Sequence, residues 1–323
     1  MIALAEVASH IPEKSETIEE VGRQLDIDGK HIELFTRFFG LREVRVAPDR
    51  GYADRLVDAA RNLTRLRGNE ARVRYVLVAR TARDLSTTAS DPVHEVVERL
   101  GLENATGFAV TEHACASGLY AIWMGGWLLR DEDPDALALV LMGEVPEMEG
   151  FYLPGTAVMG DSTAACLVSA SGERDRLRSY AYRINPSCER ALADAVAGYQ
   201  SMEDAFSQHM GTATEELGKI YIEELSEVLM DAAAQAGVAL QDMKLILPHN
   251  VNRISWIRVC KRIGVPITQV MTDLIPITGH CYTADSFLNY VEAQRQSRLE
   301  PGDHYMVVGV GTHGSFASMV FQR

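Results

Sequence analysis

The most informative part of the chain for its architecture is GFAVTEHACASG, residues 107–118, which runs directly into LYAIWMGGWLL, residues 119–129. Residues 107–110 have the pattern of a short strand and residues 119–129 that of an apolar helix, so Cys115 lies at a strand-to-helix turn. Unpaired N–H groups at a helix N-terminus favour the thiolate form of a cysteine. Cys115 is therefore a candidate nucleophile, although a cysteine at an arbitrary position is more often a buried, inert thiol.

Two further segments place polar side chains beside apolar elements. In LPHNVNR, residues 247–253, His249 directly follows a strand-like run and is a candidate catalytic base. In TGHCYTADS, residues 278–286, His280 and Asp285 precede another apolar helix. None of these segments identifies a reaction by itself.

The pattern over the whole chain predicts an α/β protein. Apolar strand-like runs at 75–79, 136–142, 245–247 and 305–308 alternate with amphipathic helical stretches. The helices include 53–66 and 215–236, the second ended by Gly237, and a capping box at 17–20 opens another.

The two halves of the chain resemble each other. RYVLVA, LVLMG and GDSTAACLV in the first half have counterparts KLILPH, YMVVG and GTHGSFASMV in the second, in the same order. These matches indicate an internal duplication, with one half at 1–172 carrying Cys115 and the other at 173–323 carrying His249. A duplicated α/β chain tends to place its site where the halves meet.

Composition and charge exclude several classes of function. The 323 residues are 47% hydrophobic and 24% charged, as in globular enzymes, and no apolar run reaches the roughly 20 residues that span a bilayer. The net charge of −14 argues against nucleic-acid binding. The five cysteines form no C-x-x-C pair, so neither a disulfide framework nor a metal site is expected. The chain starts without a basic segment, which predicts a cytoplasmic protein.

Six segments in order resemble the β-ketoacyl-acyl-carrier-protein synthase III family of the thiolase superfamily. They are ASHIPE at 8–13, TRFFGLREVR at 36–45, ACASG at 114–118, PHNVN at 248–252, GH at 279–280 and GVGTHG at 309–314. The resemblance covers almost the whole chain. It implies a thiolase-like duplicated fold with αβαβα layers.

The resemblance also implies roles for individual residues. Cys115 would accept the acyl group from an acyl-CoA or acyl-carrier-protein thioester, without a bound cofactor. The main-chain N–H groups of Cys115 and Gly311 would form the oxyanion hole. His249 would hydrogen-bond the second substrate, with Asn250 and Asn252 as further substrate-binding residues.

The same resemblance implies binding partners for this chain. A homodimer is expected, in which Leu85 of one subunit closes the acyl pocket of the other. Four basic residues on the helix after His249 would dock an acidic carrier protein, and they are Arg253, Arg258, Lys261 and Arg262.

The chain departs from the family where condensing members have Asn, because His280 stands there and Asp285 follows five residues later. We expect either His280 or Asp285 to reach His249. With His280, the site would suit decarboxylative Claisen condensation, which the family as a whole favours. With Asp285, His249 would gain an orienting carboxylate, as in acyl transfer to a hydroxyl or amine. A third interpretation is a non-catalytic subunit, and the presence of both Cys115 and His249 argues against it.

Overall fold

The computed structural model describes residues 1–81, 91–144, 152–188, 190 and 202–323. The strands are β1 Ala3–His10, β2 Ser15–Thr17, β3 Glu43–Arg45, β4 Val73–Ala79, β5 Thr106–Val110, β6 Leu137–Met142, β7 Tyr152–Leu153, β8 Ala157–Val158, β9 Thr163–Ser169, β10 Arg176–Ile184, β11 Leu245–Leu247, β12 His304–Gly311 and β13 Ser315–Gln322. The α-helices are α1 Ile18–Gln24, α2 Gly29–Glu33, α3 Tyr52–Arg61, α4 Pro92–Arg99, α5 Ser117–Leu128, α6 Met202–Ala236, α7 Arg253–Ile263, α8 Ile275–Thr278 and α9 Asp285–Arg295.

The main sheet has the strand order β11-β12-β13-β10-β1-β9-β6-β4-β5. Parallel pairing occurs near both ends, between β11 and β12 and among β6, β4 and β5, and the strands between pair antiparallel. β1 and β10 meet through the pair Ala3 and Arg176. Strands from before residue 172 thus form one side of the sheet and strands from after it the other, while the proposed domain boundary itself stays a prediction.

Side chains that alternate along each strand bury both faces of the sheet. In β6, Ala138, Val140 and Met142 point into a core that includes α5 and α9, whereas Leu137, Leu139 and Leu141 pack on the other face with α3 and α4. β12 alternates in the same way, and its outer face packs with α6 and α7. The two halves of this sheet lie on either side of α5 and α9, which gives the layer order helix–sheet–helix–sheet–helix that the family resemblance implied.

Most predicted elements are confirmed, with shifted ends. Thr17 and Glu20 form the expected capping box of α1, and Gly237 (φ 69°) follows the last residue of α6. The predicted helix 53–66 ends at Arg61, because residues 64–68 form turns that pack Leu66 into the core. Across the described ranges, no helix has both the length and the apolar character to cross a bilayer.

Candidate active site

Cys115 lies at the turn that connects β5 to the central helix α5. The main chain enters α5 through a short 3-10 turn, Ala114–Ala116, and Ala114 adopts a left-handed conformation with φ 47°. Such a conformation costs a residue with a Cβ about 1–3 kcal/mol and is found mainly where a function requires it. Here it places Cys115, which is 7% exposed, at the wall of a cavity.

His280 approaches Cys115 from the second half of the chain. Its Nε2 lies 3.4 Å from Cys115 Sγ, and both side chains are buried. The segment that carries His280 is held by main-chain hydrogen bonds, from His280 N to Val158 O and from Gly160 N to His280 O. The position of the imidazole is therefore set by the backbone between β8 and β9.

Asp285 hydrogen-bonds the other nitrogen of the His280 ring. Oδ2 of Asp285 contacts His280 Nδ1, and its carboxylate also accepts main-chain N–H bonds from Cys281 and Asn250. A 3-10 turn, Tyr282–Ala284, brings Asp285 back towards His280, and Tyr282 is left-handed with φ 54°. Three donors thus fix one carboxylate behind the imidazole.

The charges of this group favour a cationic His280. Burial lowers the pKa of His280, but the Asp285 carboxylate and the Cys115 sulfur outweigh it and raise that pKa to about 10. An imidazolium in contact with Cys115 Sγ is the partner that a reactive thiolate needs. Cys115, His280 and Asp285 thus have the arrangement of a nucleophile–base–carboxylate triad.

His249 is close to this group, but it has a different hydrogen-bond partner. Its Nε2 lies 2.7 Å from the hydroxyl of Tyr221 on α6, and its Nδ1 has no hydrogen-bond partner within the described parts of the chain. The expectation that His280 or Asp285 orients His249 is therefore wrong, because those two residues bind each other. Burial, with a smaller effect of the nearby His280 charge, lowers the pKa of His249 to about 3, so its imidazole is neutral.

A cavity of about 740 Å³ connects these side chains to the surface. Cys115, His280, His249 and Tyr221 line its inner part. Its outer walls are largely apolar and come from α6, α7 and the segment after α2, with Leu34, Phe38, Phe39, Leu217, Ile222 and Ile254. It has the size and lining of a small-molecule site. Among the described residues, no three His, Cys, Asp or Glu side chains are grouped to hold a metal ion.

The remaining predicted substrate-binding residues occupy different environments. Asn252 lines the cavity, caps α7 by accepting a bond from Ser255 N, and donates to Thr156 O. Asn250 is fully buried and accepts a hydrogen bond from Asn289, and it is not part of the cavity wall. The structure therefore assigns Asn250 a positioning role, through its main-chain bond to Asp285.

Gly311 lies beside the nucleophile turn. A Cβ on Gly311 would meet His113 O at 2.3 Å, so only glycine allows β12 to approach the backbone just before Cys115. This proximity agrees with the predicted oxyanion hole, which stays a prediction. The His113 ring packs against Tyr120 at a tilt of 31°, and burial lowers the pKa of His113, which agrees with a neutral packing residue.

The four basic residues of α7 are all exposed, as a docking surface requires. Arg258 lines the cavity mouth, whereas Arg262 lies 3.8 and 3.7 Å from Glu223 and Glu227 of α6. Leu85, the predicted dimer contact, lies outside the described residues, and the homodimer stays a prediction.

Comparison with known proteins gives the same family as the sequence motifs. Residues 233–323 match the family model for the C-terminal part of 3-oxoacyl-[acyl-carrier-protein] synthase III. β-Ketoacyl-[acyl-carrier-protein] synthase III 2 of Deinococcus radiodurans is 25% identical over 96% of this chain and 91% of its own length. This chain is synthase III-like, by the match of its C-terminal part and by its similarity to synthase III proteins over most of its length.

Solved structures agree on the fold of this synthase III-like protein. The acyltransferase ChlB3 superposes with a TM-score of 0.84 at 18% identity, over 99% of this chain and 97% of its own. The priming β-ketosynthase of the R1128 polyketide pathway superposes with a TM-score of 0.80 at 20% identity, over 100% of this chain and 96% of its own. At these identities the likeness establishes the thiolase fold.

Two residues of the site were not predicted from the sequence. Tyr221 is one of two Phe, Tyr or Trp residues in the long helix α6, and its spacing matches that of the core. Ala114 gives no signal, since its left-handed conformation follows from the packing of the turn.

A first prediction concerns Gly160, which supports His280. A Cβ on Gly160 would lie 1.9 Å from Thr278 O, so Gly160→Ala must displace the backbone that carries His280. We expect it to lower the free energy of unfolding by about 1–3 kcal/mol and to reduce acyl transfer, measured by urea unfolding and product formation. Gly29→Ala is the control, because no atom lies within 4 Å of its added Cβ. Equal stability of the two variants would contradict the prediction.

Proposed function

We propose that this protein is an acyltransferase that takes an acyl group from a CoA or carrier-protein thioester onto Cys115 and passes it to a hydroxyl or amine. The observation that carries the proposal is the continuous chain from Asp285 through His280 to Cys115 Sγ. The sequence by itself favoured condensation, and the hydrogen bonds of the site reverse that preference.

In the first step, the Cys115 thiolate attacks the thioester carbonyl, and the oxyanion forms against the main-chain N–H groups of Cys115 and Gly311. Collapse breaks the bond to the donor sulfur, which leaves with the proton of the His280 imidazolium. The products are an acylated Cys115, a free donor thiol and a neutral His280. The raised pKa of His280 supports this step, because the proton is present before the donor binds.

In the second step, the neutral His280 Nε2 accepts the proton of the acceptor hydroxyl or amine as that group attacks the acyl carbon. Asp285 holds Nδ1–H, which keeps the Nε2 lone pair directed at the cavity and stabilises the imidazolium that forms. Collapse releases the ester or amide and restores the Cys115 thiolate. A base oriented by a carboxylate serves this reaction, because the acceptor must lose a proton.

Condensation is the second candidate, because His249 is retained and similar proteins are synthases. Loss of carbon dioxide generates the carbon nucleophile without a base, and in the acylated enzyme the neutral His280 directs an Nε2 lone pair, not a donor, towards the cavity. Condensation needs donors that stabilise the enolate formed as carbon dioxide leaves. His249 could supply one, but its Nε2 is bonded to Tyr221.

The two candidates are separated by supplying an acylated enzyme with different acceptors. We would load Cys115 from a panel of acyl thioesters, then add either malonyl thioesters or a panel of alcohols and amines. We expect ester or amide products, detected by mass spectrometry, and no release of carbon dioxide. Carbon dioxide release with a ketoacyl product would establish condensation and contradict the proposal.

A second prediction tests docking of a carrier protein at the basic surface of α7. Arg258→Glu combined with Lys261→Glu should lower kcat/KM for carrier-bound donors on the order of tenfold or more, because complementary charges accelerate association. Small uncharged thioesters should be affected little. Lys244→Glu, an exposed reversal outside α7, is the control. Equal losses for both kinds of donor would leave the basic surface without a docking role.

A further inference from the structure

Tyr221 is a buried side chain in the cavity wall, and it takes no part in the proposed acyl transfer. It is 9% exposed and reaches the cavity from α6, the long helix that precedes β11 and His249 in the chain. Its hydroxyl lies 2.7 Å from Nε2 of His249, and its ring packs edge-on against the imidazole with centroids 5.7 Å apart. Tyr221 and His249 are thus a fixed pair at the inner wall.

His249 cannot turn away from Tyr221 easily. Its ring also packs against Trp256, at a centroid distance of 5.5 Å, and the Trp256 indole N–H donates to His249 O at 3.2 Å. Phe316 also packs edge-on against Tyr221, with ring centroids 6.4 Å apart. The aromatic contacts hold both partners of the hydrogen bond in place.

The Nε2 atom is the part of His249 that a substrate could use. Nδ1 has no surface exposure and no hydrogen-bond partner in the described chain, so the imidazole offers the cavity only its Nε2 edge. Whichever of the two groups donates, the hydrogen bond to Tyr221 occupies Nε2. A thioester carbonyl in this cavity therefore finds no free donor on His249.

We infer that Tyr221 is a specificity-determining residue, which occupies Nε2 of His249 and thereby prevents the site from stabilising the enolate of a malonyl thioester. The inference rests on the proposed acyl transfer, and it explains how a site that retains His249 is kept from decarboxylation. Removing the hydroxyl alone would leave Nε2 directed at the cavity without a partner, and the neutral imidazole, whose Nδ1 is also without a partner in the described chain, could carry its proton there. His249 would then be able to donate to the carbonyl oxygen on which negative charge develops.

The test is Tyr221→Phe, which keeps the ring and removes the hydroxyl. Removing one donor from an oxyanion site slows a reaction by about 10²–10³-fold, so restoring one should raise carbon dioxide release from malonyl-CoA at least tenfold above the unmodified protein. The double variant Tyr221→Phe, His249→Ala should lose that gain. Tyr290→Phe, which removes a buried hydroxyl bonded to Asp175 away from the cavity, should show no gain.

The outcomes separate this inference from the proposed function. Carbon dioxide release by the unmodified protein would overturn the acyl-transfer proposal. If neither the unmodified protein nor Tyr221→Phe releases carbon dioxide, while Tyr221→Phe still loads Cys115, the inference is overturned and acyl transfer stands. A gain that persists without His249 would also overturn it. If Tyr221→Phe does not load Cys115, Tyr221→Leu provides the same measurement with a different packing side chain.

Discussion

Replacing Asp285 with Asn is expected to slow acyl transfer by about 10³–10⁴-fold, because the same change in a Ser-His-Asp triad costs about 10⁴-fold. An amide N–H facing Nδ1 would force the proton of His280 onto Nε2, which then could not accept a proton from the acceptor. The amide, with a single oxygen, would also lose one of the main-chain bonds that Asp285 now accepts from Cys281 and Asn250. The measurement is the rate of ester or amide formation from a preloaded enzyme.

The pH dependence gives an independent readout of the same substitution. Burial lowers the pKa of His280, but the carboxylate outweighs it and raises that pKa to about 10, so removing the carboxylate should bring it down. His280 would then lose its proton at a lower pH, and alkylation of Cys115 by iodoacetamide should show the change. Asp175→Asn, another buried acid that accepts from Tyr290 and Tyr305, is a control for general loss of stability. Less than a tenfold loss of transfer in Asp285→Asn would remove the triad from the mechanism.

Replacing Cys115 with Ala is expected to abolish the acyl-enzyme and to lower transfer by about 10⁶-fold, as when the nucleophile of an acyl-transfer triad is removed. Cys115 is the cysteine in contact with an imidazole and at the cavity wall. The readout is the mass of the protein, and of the peptide that carries Cys115, after incubation with an acyl thioester.

Cys166→Ala is the matched control for the loss of a buried thiol. Cys166 is fully buried in β9, and burial raises the pKa of its thiol well above the ordinary value, so it should carry no acyl group. Its replacement should therefore leave the adduct unchanged. An adduct that persists in Cys115→Ala, or that maps to Cys281 beside His280, would disprove the assignment of the nucleophile.

How much of the site can be predicted from the sequence depends on what local patterns encode. The order of strands and helices could be read because alternation and helical spacing are properties of neighbouring residues. Cys115 could be found because a strand, a turn of small residues and an apolar helix follow one another in the sequence. His280 and Asp285 were both recognised, five residues apart, but not their relation to each other or to His249.

Local sequence patterns encode the α/β class of the fold, the position of Cys115 at the start of the central helix and the three segments that supply polar groups. Which of those groups are in contact depends on how the folded chain packs. Cys115 and His280 are separated by 165 residues, and His249 and Tyr221 by 28, so their contacts depend on how helices and sheets pack. A hydrogen bond requires a separation correct to a few tenths of an ångström, and residue spacing along the chain does not encode distances between layers.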